Sequence, residues 1–576
     1  MNKQSTQTGQ EALEDPVAME VFANRLTSIS EEMGNVLVRS SFSTNIKERR
    51  DCSVGLLDAT GRCVTQAAHM PMHLGSLLGS VQSVLSRYPV ERMAEGDAFI
   101  CNDVFLAEGT HLPDITIVTP VFFEGRVRFF AACVAHHSDV GGPHPGSMSQ
   151  SARSIFEEGI RIPVMRIMRA GELDQDLLRM IAHNTREPEE RGLDLRVQIA
   201  VNERGGALLR RLMEQEGVSV VERSVNDLLA YTARRLEARI TSLPDGVYEG
   251  ERWMDGDGLP DSEQLRIRAR VTVQGSRLSI DFEGTGRQAR GGLNMPRCAL
   301  QATCIYAVKA MLDPGIPANN GLFDGMEITA PEGSIVNPRF PAATCARAIT
   351  ANRVAAAVID ALNQAVEPAS RLAASNDSVP AMVFSGQRAD GGLYVYFETL
   401  GGGVGAMQGL DGQSAAHVHV SNTSNLPAEA LEVEYPLLID EYGLVADSGG
   451  AGQWRGGLGI ARQIRTRDDN VLFTARSDGV NTPAPGLDGG LPGGCARLFH
   501  IPPQDQPQAM GGSVTGMTLK AGTAIRMETP GGGGYGDPAR RDPAALVRDM
   551  RNGEVSAEAA RRDYGFCEKK DIAAVT

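Results

Sequence analysis

Apolar residues recur three and four apart at Met19, Phe22, Leu26, Ile29, Met33 and Val36. That spacing keeps them on one face of a helix of about six turns. Asp15-Pro16 marks its start, with the aspartate as N-cap and proline at the first helical position. A charged connector follows at 45–51. Two short apolar runs, 52–58 and 63–66, flank Ala59-Thr60-Gly61 and predict a hairpin. Residues 98–101, 115–118 and 127–134 read as buried strands, with a turn at Phe123-Glu124-Gly125 between the last two. From about 175 to 243 the pattern is helical and charged. Between 246 and 282 apolar and polar positions alternate, which suits an antiparallel sheet with one face exposed. Residues 299–311 and 343–365 read as helices.

Beyond about residue 380 glycine clusters multiply, among them Gly401-Gly402-Gly403, Gly456-Gly457 and Gly531-Gly532-Gly533-Gly534. Short strands between them predict a β-rich half with tight turns and close backbone approach. A last helical segment begins at Asp542-Pro543 and ends near Tyr564-Gly565. With 576 residues the chain exceeds one compact core. The expected fold is therefore α+β and multidomain. A polar tail at 1–14, read as disordered, precedes an N-terminal mixed α/β region at 15–245 that carries a metal site. A mixed middle region at 246–380, a β-rich and glycine-rich region at 381–540, and a helical segment with tail at 541–576 complete it.

A formal charge of -15 argues against nucleic acid or an anionic membrane as partner. No run of about 18 apolar residues is present, so a membrane span is not expected. Residues 1–14 lack an apolar signal core, which suits a cytoplasmic protein. Nine cysteines without a C-x-x-C pair make neither a disulfide framework nor a zinc ribbon. Cys52, Cys101 and Cys133 read as small core residues, an assignment that outweighs a nucleophilic Cys101.

Six of the ten histidines fall between His69 and His144. Imidazole and carboxylate are ligands that borderline divalent metals prefer, and a site needs three or more of them converging. His111 and Asp114 lie three apart and His136 arrives from the next strand, so these three form the strongest constellation. Zinc, manganese and iron all suit such a set. His69 and His73 flank Pro71, which favours a loop or helix start, and they read as lining a site or hydrogen-bonding backbone ahead of ligating a metal. Asp51 reads as a solvated charge unless the chain folds it back over the cluster. Gly531 to Gly534 lack the lysine and Ser/Thr of a P-loop. His417-Val418-His419 alternates like a strand, placing both rings on one face, with Gln413, Asn422 and Asn425 nearby.

Several blocks closely resemble the hydantoinase B family: Asn45-Ile46-Lys47-Glu48-Arg49-Arg50-Asp51, His69-Met70-Pro71-Met72-His73, Thr110-His111-Leu112-Pro113-Asp114, His136-His137-Ser138-Asp139, Arg455-Gly456-Gly457-Leu458-Gly459 and Pro530-Gly531-Gly532-Gly533-Gly534-Tyr535-Gly536. The resemblance runs from about Asp15 to Gly565. It implies the B-type subunit of an ATP-dependent hydantoinase, oxoprolinase or lactamase, or the matching subunit of an acetone or acetophenone carboxylase. In such systems the A-type partner holds Mg-ATP and phosphorylates the carbonyl oxygen, while the B-type subunit holds a divalent metal. The resemblance implies His111, Asp114 and His136 as ligands, with Asp51 a further candidate. His137 or Asp139 would then orient a ligand or accept a proton as catalytic groups. The expectation is a hetero-oligomer acting on a small cyclic amide, with the carboxylase and a non-catalytic scaffold as alternatives.

Overall fold

The computed structural model describes residues 16–149, 151–259 and 261–567, so the expected tail at 1–14 and residues 568–576 lie outside it. The first helix, α1 (Pro16–Ser40), buries Phe22, Leu26, Met33 and Leu37, the face that the three-four spacing marks. A short α2 (Thr44–Lys47) leads into β1 (Cys52–Asp58) and β2 (Cys63–Gln66), which pair as the expected hairpin. Gly61 turns it at φ +82, a left-handed conformation that glycine adopts without steric cost.

After α3 (His73–Arg87) come β3 (Ala98–Cys101), β4 (Asp114–Phe123), β5 (Arg126–His136), β6 (Met165–Arg169) and β7 (Glu172–Leu173). The seven strands form one antiparallel sheet ordered β2-β1-β5-β4-β3-β6-β7. The helical stretch that follows is three helices, α4 (Gln175–His183), α5 (Pro188–Glu216) and α6 (Val218–Thr241), broken before Pro188 and at Gly217.

Helices cover both faces of this sheet, which is why its strands read as continuous apolar runs. Val118, Ala132 and Val134 share a core with Leu77 and Val81 of α3. Ile117, Cys133 and Ala135 share the opposite core with Leu195 and Ile199 of α5. Each fully buried Leu, Ile or Val contributes about 1.5–3 kcal/mol. Because strand side chains alternate, even-numbered positions of β4 and β5 face α3 and odd-numbered ones face α5. Parity therefore decides which strand-end residues can meet.

Strands β8 (Gly246–Met254), β9 (Leu265–Gln274) and β10 (Arg277–Asp281) form a second sheet with β11 (Met326–Thr329), in the order β11-β10-β9-β8. The expected alternation is present: Leu265, Ile267, Ala269, Val271 and Val273 are buried between half-buried neighbours. Helix α7 (Arg297–Leu312) and the almost wholly buried α8 (Arg347–Asn363) cover this face. Helix α8 begins at Arg347 rather than at residue 343. The amides of Thr344 and Cys345 donate instead to the buried carboxylate of Glu158, at 2.6 and 2.8 Å.

The remaining elements are β12 (Ala381–Gln387), β13 (Leu393–Thr399), α9 (Ala428–Glu434), β14 (Leu437–Leu444), β15 (Ile460–Thr466), β16 (Val471–Arg476), β17 (Arg497–Ile501), β18 (Gln508–Met510), β19 (Ser513–Leu519) and β20 (Ala524–Glu528). They form two sheets, β13-β12-β16-β19 and β14-β15-β20-β17-β18, around Phe384, Tyr396, Ile464, Phe473 and Met527. Several glycine clusters there do not make the expected turns. They let backbone lie directly on backbone: Gly532 N–H donates to Gly457, Gly457 N–H to Val404, and Gly450 N–H to Gly532. A Cβ on Gly532 would stand 2.1 Å from the Val404 carbonyl oxygen. The final helical segment is two helices, α10 (Pro543–Arg551) and α11 (Ala557–Tyr564), the second restarted by Ser556, whose Oγ accepts from the Ala559 amide.

Candidate metal centre

Strand register assembles the cluster. Cys52 pairs with Ala135 and Asp114 with His136, so Asp51, His136 and Asp114 stand abreast at one end of β1, β5 and β4. The His136 amide donates to the Asp51 carbonyl at 2.9 Å. His111 joins from the turn before β4, where the Asp114 amide donates to its carbonyl. Candidate ligand atoms of His111, Asp114 and His136 all lie within 4.8 Å of one another, and all three residues are buried. His111 Nε2 is 3.0 Å from Asp114 Oδ1.

His136 Nε2 and Asp51 Oδ1 are buried without a hydrogen-bond partner among the described residues, and His111 Nε2 and Asp114 Oδ1 have none but each other. Their companion atoms are held. The Cys345 carbonyl lies 3.2 Å from His111 Nδ1, and the Asn45 amide nitrogen lies 2.9 Å from His136 Nδ1. Asp114 Oδ2 accepts from Thr110 Oγ1 and from Arg347 Nη2 at 2.6 Å. Rings and carboxylate are thus fixed by their outer edges while their inner edges converge. The donor set fits a divalent cation.

Electrostatics agree. Burial, with Arg347 nearby, lowers His111 to about 4, and burial also holds His136 well below its ordinary value, so both rings are neutral near pH 7. Burial alone would raise Asp114, but His111, Arg347 and His73 outweigh it and hold the carboxyl well below the usual range. Asp51 is raised by burial, against the pull of His73 and Arg49.

Asp51 is therefore buried beside the cluster rather than solvated. His73, at the start of α3, also enters the site: Nε2 lies 3.6 Å from Asp114 Oδ2 and 3.9 Å from Asp51 Oδ1, with Ser53 Oγ at 3.1 Å from Nδ1. Arg347 and Arg476 line the same space and were missed by sequence reasoning, which has no local signal for residues so distant along the chain. Asn45 and Thr110 stood inside recognised blocks without an assigned role.

His137 and Asp139 are not brought to the cluster. Odd parity turns His137 toward α5, where its ring nitrogens meet Arg191 and Gln198 at 3.1 Å each. Asp139 pairs with Arg186 at 2.7 Å and accepts from the amides of Gly141 and Gly146. Both hold structure around the sheet end. His417 and His419 also part company: no strand forms there, His419 takes φ +54 and pairs with Asp377 at 2.9 Å, and His417 meets Thr423. Cys52, Cys101 and Cys133 are buried, and burial pushes the Cys101 thiol up to about 11, far from a ready nucleophile.

These depressed imidazoles predict acid sensitivity. Burial lowers His137 and His417 to about 3, joining His111 and His136 as rings neutral in the fold. Unfolded histidine titrates near about 6.5, so the unfolded chain takes up protons first. Their stability contribution is full above about 6.5 and is lost as pH falls toward the folded values. Glu158 and Glu187, both raised by burial to about 7, and Asp51, Glu190 and Asp478, also raised, have the opposite slope, while His69, lowered by burial, adds to the four rings. Urea unfolding of the metal-free chain should give a lower midpoint at pH 4.5 than at pH 7, and a constant midpoint would contradict neutral burial.

A cavity of about 30 Å³ lies at the cluster, lined by Asp51, His73, His111, His136, Arg347 and Arg476 among others. Met70 lines both this cavity and a neighbouring pocket of about 360 Å³ that includes His69, Leu74 and Tyr306. A hollow of about 1300 Å³ along Gly75, Arg166 and Gln301 shares no lining residue with the cluster cavity. No helix among the described residues is long and apolar enough to cross a membrane.

The chain resembles several known proteins. A profile of the hydantoinase B/oxoprolinase family matches residues 15–538. An uncharacterized protein of Methanocaldococcus jannaschii is 34% identical over 553 residues, covering 96% of each chain. The 5-oxoprolinase 1 of Arabidopsis thaliana is 32% identical over 553 residues, covering 91% of this chain but 42% of that protein. This chain thus spans about two fifths of that oxoprolinase. The crystal structure of the ATP-dependent caprolactamase from Pseudomonas jessenii superposes with a TM-score of 0.89 at 26% identity, covering 98% of this chain and 99% of that one.

Proposed function

Because this chain belongs to the hydantoinase B/oxoprolinase family, we propose that it is the metal-bearing B-type subunit of a cytoplasmic, ATP-dependent complex that hydrolyses a small cyclic amide. The caprolactamase and 5-oxoprolinase likenesses support the cyclic amide. The observation that carries the reading is the set of inward donor atoms of His111, His136, Asp114 and Asp51, buried with no hydrogen-bond partner outside the cluster among the described residues. Each such buried group left unsatisfied costs about 1–3 kcal/mol, a penalty that a bound cation removes. His111, Asp114 and His136 are the ligands in this reading, and Asp51 Oδ1 is the fourth donor.

A divalent ion there, zinc, manganese or iron, supplies Lewis acidity that polarises a carbonyl or phosphoryl oxygen and makes water a nucleophile near neutral pH. The chain's own groups do the rest. The Cys345 carbonyl accepts from His111 Nδ1–H, fixing the tautomer that leaves the Nε2 lone pair facing inward. Arg347 holds Asp114 charged and immobile. His73, between Asp51 and Asp114, is placed to take or return a proton at Nε2. The amide carbonyl is a poor electrophile, and phosphorylation of its oxygen by an A-type partner holding Mg-ATP turns that oxygen into a leaving group.

Alone, the chain is expected to release no ADP from Mg-ATP in the presence of 5-oxoproline, hydantoin or caprolactam. Coexpressed with its A-type partner, it should give ATP-dependent ring-opened product. Turnover by the isolated chain would break this division of labour. Product that forms only with bicarbonate would move the reading to the carboxylase alternative.

A further inference from the structure

Three guanidinium groups from separate parts of the chain surround the cluster: Arg49 after α2, Arg347 at the start of α8 and Arg476 at the end of β16. They are 0%, 4% and 3% exposed. The hydrogen bonds of Arg49 go to neutral acceptors, Asn45 Oδ1, Phe397 O and Thr399 Oγ1. Arg476 gives Nη1 to the Cys345 carbonyl at 2.9 Å and has no carboxylate in ion-pair range among the described residues. Buried Nε atoms of both Arg347 and Arg476 lack partners among the described residues. The carboxylates nearby are Asp51, Asp114 and Glu158.

A divalent ion would add two positive charges to an interior whose three arginines already match its three carboxylates. Uncompensated buried charge is strongly unfavourable, so the cavity calls for an anion. Its volume of about 30 Å³ has room for one or two water-sized groups, a charged head rather than a ring.

We propose that Arg347 and Arg476 form an oxyanion subsite beside the metal cluster, which takes the charged phosphoryl or carboxylate oxygens of the substrate while its uncharged body lies across Met70 in the larger pocket. This rests on the metal reading above. The guanidinium forks suit paired oxygens, and Arg347 also binds Asp114, so metal and oxyanion share one electrostatic unit.

Calorimetric titration of the full chain loaded with zinc tests it, with inorganic phosphate, acetate and bicarbonate in separate arms. Saturable binding of at least one anion is expected. Arg476→Gln should weaken it at least about tenfold at unchanged zinc content, and Arg476→Lys should retain most of it. Preference for phosphate assigns the subsite to a phosphoryl group, and preference for acetate or bicarbonate assigns it to a carboxylate. No saturable binding by the zinc-loaded wild type, or equal binding by Arg476→Gln, overturns the subsite and leaves the metal assignment standing. Undiminished zinc in His111→Ala and His136→Ala would overturn the metal reading itself.

Discussion

Replacing Asp114 with asparagine in the assembled complex should cut ring-opened product by at least about a hundredfold, the scale of losing a metal-activated nucleophile. The substitution keeps the side chain's size and can still accept from Thr110. It removes the carboxylate charge that pairs with Arg347, which is also the anionic member of the His111, Asp114 and His136 donor set. Metal content should fall with it. Substrate-dependent ADP release in the first turnover should fall much less, because phosphorylation is assigned to the partner. A single-turnover measurement of both products decides the matter. Equal loss of ADP and ring-opened product would show that the cluster is needed for phosphorylation, and the two-site mechanism would have to be given up.

Glu398→Gln should lower the stability of the second half by about 3–5 kcal/mol, as when one partner of a buried ion pair is removed. Glu398 on β13 and Arg462 on β15 are both fully buried and join the two second-half sheets, with Oε2 and Nε 2.9 Å apart. Tyr396 donates its hydroxyl to the same carboxylate, and the Leu426 amide donates at 2.8 Å. Arg462 lies over the Tyr442 ring and gives Nη2 to the Leu426 carbonyl, so the glutamine variant leaves a guanidinium buried without its counter-charge. Urea denaturation followed by fluorescence measures the loss. A Glu398→Met, Arg462→Met double variant should recover much of it, since removing both charges avoids the orphan. A loss below about 1 kcal/mol in Glu398→Gln would mean that the pair contributes little.

The elements were legible where one local rule decides them. Phe22, Leu26 and Met33 announce α1 by spacing alone, and Leu265 to Val273 announce β9 by alternation. The cluster was legible because its ligand types are rare enough to stand out within 26 positions, from His111 to His136. Asp51 was harder. Its surroundings in sequence are charged, and only the pairing of β1 with β5 places it beside His136. Parity carried an unused signal: His136 continues the Ala132 and Val134 series, whereas His137 continues Cys133 and Ala135. Had alternation been extended one residue past the strand, His137 would have been sent to the far side. Arg347 and Arg476 were beyond reach, because their role depends on contacts across more than a hundred positions. The glycines announced close approach but also suggested turns, and sequence does not say which backbone each one admits.

The peptide at Cys345 shows where such hidden information is stored. Its carbonyl receives both His111 Nδ1 and Arg476 Nη1, and its amide is tied to Glu158. None of these links uses the side chain of residue 345. Another residue could supply the same carbonyl and amide, but the side chain is buried with Sγ 3.0 Å from the Ser149 carbonyl, so only a small one fits. What must be inherited is the stretch at 344–346 that refuses to become helix, and its keeper is a carboxylate 187 positions away in sequence.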